Sequence, residues 1–114
     1  MKLLNSIKSL FKSIKNLSKK RSFGKVQIID NNSSIKPQKN TITVVRKNSN
    51  FSWIKFYCPC GCGREVTLSL NSNIQPYWNI RIKNDKVTLS PSVYLTGFPC
   101  KSHFFIKNNK IDWV

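Results

Sequence analysis

Residues 58–63 read Cys-Pro-Cys-Gly-Cys-Gly, three thiols at alternate positions. Thiols this close in sequence do not readily bridge each other, since a disulfide needs a specific Cα spacing and converging Cβ vectors. The remaining thiol, Cys100, stands far along the chain in Cys100-Lys101-Ser102-His103, which also holds the only histidine. In a reducing compartment such a set reads as metal ligands rather than as two disulfides. A chain with this constraint must bring two distant turns together around one ion.

A structural zinc takes four thiolate or imidazole ligands in a tetrahedron, commonly as two close pairs on two turns. The first turn here offers Cys58, Cys60 and Cys62 and the second Cys100 and His103, five candidates for four places. Gly61 and Gly63 suit a tight turn that aims backbone amides at sulfur, and Pro59 stiffens it. The spacing differs from the doubled C-x-x-C of zinc ribbons. C-x-C with C-x-x-H is instead similar to the two ligand loops of Rieske proteins, which suggests Cys58, Cys60, Cys100 and His103, with Cys60 and Cys62 as a near-equal pair. One histidine cannot supply the two imidazoles of a Rieske iron, so Zn2+ is the expected metal and an iron–sulfur cluster the alternative. If Cys62 is the spare thiol, it is open to a role as a reactive or redox group.

A metal would also relieve a thermodynamic difficulty. The chain has 114 residues, enough for one domain and an extension, and short strands in a domain of this size bury a modest core. A structural zinc adds roughly 10 kcal/mol or more of apparent folding free energy.

Residues 2–20 place Leu3, Ile7, Leu10, Ile14 and Leu17 at alternating steps of four and three, with Lys8, Lys12, Lys15 and Lys19 opposite. That spacing predicts a basic amphipathic helix. It suits an anionic membrane surface, a groove on a partner, or packing against its own domain or a second copy. The helix face belongs to a wider asymmetry: residues 1–50 carry twelve of the twenty Lys and Arg and one of the four acids. A net charge of +16 favours nucleic acid, an acidic membrane or an acidic protein. Equally, sixteen Lys against four Arg, with thirteen Asn and twelve Ile, is what an AT-rich genome encodes without functional demand. No run approaches the roughly 20 apolar residues of a membrane span. Lysines interrupt any secretory core, so the chain is expected in the cytoplasm, with peripheral membrane contact through residues 1–22.

Behind the helix the period shortens to two. Strands are expected over residues 25–29, 41–46, 51–57, 65–70, 77–82, 86–89, 104–106 and 111–114. Asn84-Asp85 and Asn108-Asn109 mark hairpin turns. The expected architecture is mainly β: one small domain of antiparallel hairpins with a two-loop Cys/His metal site, plus the N-terminal helix. Its boundaries are residues 1–22 for the basic extension, 23–40 for a linker with a short strand, and 41–114 for the zinc-binding domain.

The run FYCPCGCGREVTLSL, then YWNIRI, VTLSPSV and GFPCKSHFFIKNNKIDWV, closely resembles the bacterial proteins grouped as domain of unknown function 6527. The resemblance covers roughly residues 40–114 and includes Trp78, Leu89-Ser90-Pro91-Ser92 and Trp113. It implies a β-rich metal-binding protein, some relatives of which are encoded beside ubiquitin-like conjugation genes.

These readings favour a zinc-binding accessory or interaction protein of bacterial or phage type with a protein partner. A Rieske-like electron carrier and a nucleic-acid-binding zinc module remain as alternatives. For the last, Trp53, Tyr57 and Phe98 with Lys55, Arg64 and Lys101 would stack on bases and contact phosphates, though strands this short are expected to bury their aromatics. No catalytic residue is assigned: Glu65 is the best-placed base for a hydrolytic metal, and it reads more simply as the polar face of a strand.

Overall fold

The computed structural model describes residues 19–114. Among them there is no helix, and eight strands form two four-stranded sheets. The helix expected over residues 2–20 lies outside the described residues except for its last two positions, which are not helical.

The first sheet has the order β1-β2-β3-β4, formed by Lys25–Asp30, Thr41–Lys47, Asn50–Tyr57 and Glu65–Ser69. The second has the order β5-β6-β7-β8, formed by Asn79–Lys83, Lys86–Tyr94, His103–Lys107 and Lys110–Trp113. Three hairpins turn on consecutive residues of positive φ: Asn48-Ser49 (52° and 68°), Asn84-Asp85 (52° and 58°) and Asn108-Asn109 (48° and 65°). Positive φ at both central residues is the type I′ geometry, whose twist matches that of the flanking strands, and Asn and Asp tolerate it best.

One pairing departs from the antiparallel expectation. β1 runs parallel to β2, from Lys25 opposite Thr41 to Asp30 opposite Arg46, so the strand expected within a linker is the edge of the first sheet. A parallel pair needs a crossover rather than a tight turn, and residues 31–40 provide it. Lys55 holds that crossover down: its ammonium is buried and donates to the carbonyls of Ser33 and Ile35. A buried cation needs such partners to offset lost hydration.

Alternation then builds the core. Ile42 and Val44 from β2, Ile54 and Phe56 from β3, and Val66 and Leu68 from β4 meet Val87, Leu89, Val93, Phe104, Ile106 and Ile111 from the second sheet in a single cluster. Phe56 and Phe104, fully buried on opposite sheets, meet edge to face with ring centroids 6.1 Å apart. The segment before β1 joins the halves. Phe23 packs on Phe56 at 5.4 Å, Lys20 N–H donates to Pro59 O at 2.7 Å, and Arg21 O and Asn109 O pair with Ile111 N–H and Phe23 N–H at 2.7 and 2.8 Å.

Candidate functional site

The Cys58–Gly63 knuckle is the turn between β3 and β4. Cys58 N–H bonds to Arg64 O at 2.9 Å and Gly61 N–H to Cys58 O at 3.1 Å. Gly61 and Gly63 hold φ of 89° and 81°, a region that costs an L-residue about 1–2 kcal/mol. The second turn, between β6 and β7, curls through Phe98 N–H to Leu95 O and Lys101 N–H to Phe98 O, both 3.1 Å. Because both turns sit at the same end of the packed sheets, the sulfurs of Cys58, Cys60, Cys62 and Cys100 come within 4.8 Å of one another.

Cys58 Sγ lies 3.4 Å from Cys60 Sγ and 3.8 Å from Cys100 Sγ, and all four cysteines are free. A tetrahedral thiolate site with metal–sulfur bonds of about 2.3 Å has edges of about 3.8 Å, so the spacing fits an ion. Burial pushes the Cys58 and Cys62 thiols up. At Cys100 burial also raises the pKa, but hydrogen bonds from the Ser102 hydroxyl and backbone, and from Cys60 and Cys58, bring it down to about 7. A bound divalent cation would supply the charge that favours the thiolate form.

His103 is not in that group. The reason is the period of the strand: Ser102 and Phe104 are buried and point inward, Ser102 Oγ lying 3.3 Å from Cys100 Sγ and 3.6 Å from Cys58 Sγ. His103, between them, takes the outer face. The C-x-x-H spacing therefore brings no imidazole to the thiols, and the likeness to the Rieske loops ends there. Structure narrows the five expected candidates to a cluster of four cysteines.

On that outer face His103 Nε2 lies 2.9 Å from Ser92 Oγ. Register explains the meeting. Leu89 pairs with Ile106 and Val93 with Phe104, so three residues of β6, 90–92, stand opposite the single Phe105 of β7. Such a bulge bends the strand and re-aims its side chains. Val93 is buried, so Ser92 and Tyr94 share the outer face, and Tyr94, directly across from His103, packs against the imidazole with centroids 4.5 Å apart and the rings tilted by 47°. Trp78 Nε1–H, donating to Ser92 O at 3.2 Å, fixes the backbone behind the hydroxyl. All four acidic residues of the sequence lie among the described residues, and none has a carboxylate within 4.0 Å of the ring. The arrangement is a dyad of a hydroxyl and a base.

The sequence family matching residues 28–114 is described as "Bacterial ubiquitination-like system serine protease (BubE)". The chain belongs to the BubE family. This corrects the resemblance drawn to the domain of unknown function 6527 family, and it links the chain to a bacterial ubiquitination-like system. The matched span holds all four clustered thiols and both members of the Ser–His pair. No curated protein and no solved structure matches the chain.

Ser92 is the residue sequence reasoning missed. One signal was present: a chain with one histidine can build a Ser–His pair only around His103, and Ser92 follows a proline that interrupts a strand pattern. Among the described residues no helix is long and apolar enough to cross a membrane.

Proposed function

We propose that the chain is a serine peptidase in which Ser92 is the nucleophile, His103 its general base, and the cysteine cluster a structural zinc site. The observation that carries this reading is the 2.9 Å contact between Ser92 Oγ and His103 Nε2, within the reach a nucleophile and its base need. The family description supports it.

Ser92 Oγ attacks the scissile carbonyl carbon while its proton passes to His103 Nε2. The C–N bond then breaks, the amine leaves with that proton, and an ester to Ser92 remains. Water, deprotonated by the same nitrogen, attacks the ester and releases the acid and the free hydroxyl. The tilted Tyr94 ring packs against the imidazole and limits its rotation. With no carboxylate within 4.0 Å of a ring nitrogen, that packing stands where a triad has an orienting hydrogen bond.

Cys58, Cys60, Cys62 and Cys100 would hold zinc, which would close the β6–β7 turn three residues before His103. Its contribution is positional. Four thiolates fill a tetrahedron and leave no open place for water. The substrates fitting the family are protein conjugates or precursors of a bacterial ubiquitination-like system.

A fluorophosphonate probe with intact-mass detection tests the assignment. Expected is one adduct on Ser92, absent in Ser92→Ala and strongly slowed in His103→Ala, with zinc content unchanged in both. Labelling elsewhere, or equal labelling of Ser92→Ala, overturns it.

A further inference from the structure

Two strand edges lie open beside Ser92, and they face the same groove. β4 has β3 on one side only. Leu70 N–H bonds to Ser52 O at 3.0 Å and Cys58 N–H to Arg64 O at 2.9 Å. By the alternation of an antiparallel ladder, Val66 and Leu68 therefore face β3, while Glu65, Thr67 and Ser69 turn their N–H and C=O groups away. Ser69 O accepts Trp78 N–H at 2.8 Å. Among the described residues no strand lies beside Glu65 and Thr67.

β6 is open on its other flank. β5 pairs with it only as far as Ser90. Leu95 N–H bonds to Ser102 O at 2.9 Å, so Val93 and Leu95 face β7 and Ser92 and Tyr94 turn outward. Ser92 O is held by the Trp78 indole and Tyr94 O by Thr96 N–H at 3.0 Å, leaving their N–H groups aimed at the open side. Between these edges runs a groove of about 420 Å³, lined by residues 65–68 and 94–98. Trp78 ties the two edges together through Ser69 O and Ser92 O, and Tyr94, which lines the groove, packs against the His103 ring at a tilt of 47°.

We infer that this groove seats the main chain of the substrate: an extended peptide segment enters as an added strand, pairs with Glu65 and Thr67 of β4 and with Tyr94 N–H of β6, and delivers its scissile carbonyl to Ser92. The inference rests on the Ser92–His103 reading and deepens it. Strand addition recognises a peptide by its backbone and leaves selectivity to alternate side chains. A strand paired on β6 lies about 4.5–5.5 Å away Cα to Cα, within reach of a nucleophile at position 92. The occupant is therefore a flexible terminal or linker segment, because a strand already paired in a folded sheet cannot enter.

The test uses the full chain, a library of quenched fluorogenic decapeptides, and the fluorophosphonate probe. Thr67→Pro removes one outward N–H at an edge position, where proline is tolerated. Expected is a loss of about tenfold or more in kcat/KM, carried mainly by KM, with probe labelling of Ser92 kept within about twofold, as loss of one hydrogen bond from a bound strand predicts. Because this variant would be uninformative if it failed to fold, the best-cleaved peptide is also N-methylated one residue at a time against the unaltered protein. Cleavage should fall at alternate positions. Uniform tolerance of N-methylation, labelling without cleavage of any decapeptide, or a dimer paired through β4 that excludes peptide overturns the inference and leaves the dyad standing. Failure of Ser92 to take the probe overturns the dyad itself.

Discussion

His103→Ala separates the two chemistries that meet in residues 100–103. If the imidazole were a zinc ligand, its removal would strip one of four bonds from a site whose apparent binding free energy is about 10–16 kcal/mol, so roughly 3–4 kcal/mol and a 10²–10³-fold weaker affinity would follow. The structure gives His103 a different set of contacts, Ser92 Oγ at 2.9 Å and the Tyr94 ring at 4.5 Å. Losing one half-exposed hydrogen bond and one ring contact costs about 1–2 kcal/mol of stability. Metal affinity should stay within about threefold, while the turnover of a cleavable peptide falls by 10³-fold or more, because nucleophile and base act as a unit. Competition against a chromophoric chelator reads the first quantity and peptide hydrolysis the second. A variant that loses its metal, or that hydrolyses peptide at the wild-type rate, refutes the reasoning.

Other outcomes follow from the core and the knuckle. Phe56→Ala removes a fully buried ring that touches Phe23 and Phe104 and should cost about 3–5 kcal/mol, read as a lower urea midpoint at unchanged slope. Thr43→Val should stabilise by about 1 kcal/mol, raising the melting temperature by about 4–8 °C, because the buried Thr43 hydroxyl has no hydrogen-bond partner among the described residues. Gly63→Ala, at φ 81°, should weaken zinc binding about tenfold by straining the turn, by about 1–2 kcal/mol, and a chelator titration measures it. Chelation of the wild-type metal should abolish probe labelling of Ser92 along with near-ultraviolet ellipticity, since a contribution near 10 kcal/mol is comparable to the whole stability of a small domain.

The strands were legible because their side chains alternate cleanly, as in EVTLS at residues 65–69, and two of the three type I′ turns announced themselves as Asn84-Asp85 and Asn108-Asn109. The parallel pairing of β1 was not, since residues 31–40 look the same whether they link two hairpins or cross over within a sheet. The thiols were legible as a cluster because their chemistry is rare. His103 was placed beside them by sequence proximity, yet in a strand adjacent residues point to opposite faces, so nearness to Cys100 argued for the wrong side. Ser92 depended on a bulge, and the extra residues of a bulge are a property of two strands compared, invisible in either alone.

The segment at residues 20–23 has a bearing on how the protein is made. Phe23 leaves the ribosome 86 residues before Asn109, whose carbonyl it bonds, an interval of about 4–17 s at usual rates of synthesis. Cys58, Cys60 and Cys62 likewise wait for Cys100. A nascent chain therefore carries an unclosed knuckle and an unclasped first sheet until the β7–β8 hairpin emerges. Ser92 also precedes His103 in that order, so on the proposed reading the hydroxyl waits, without its base, for the β7–β8 hairpin.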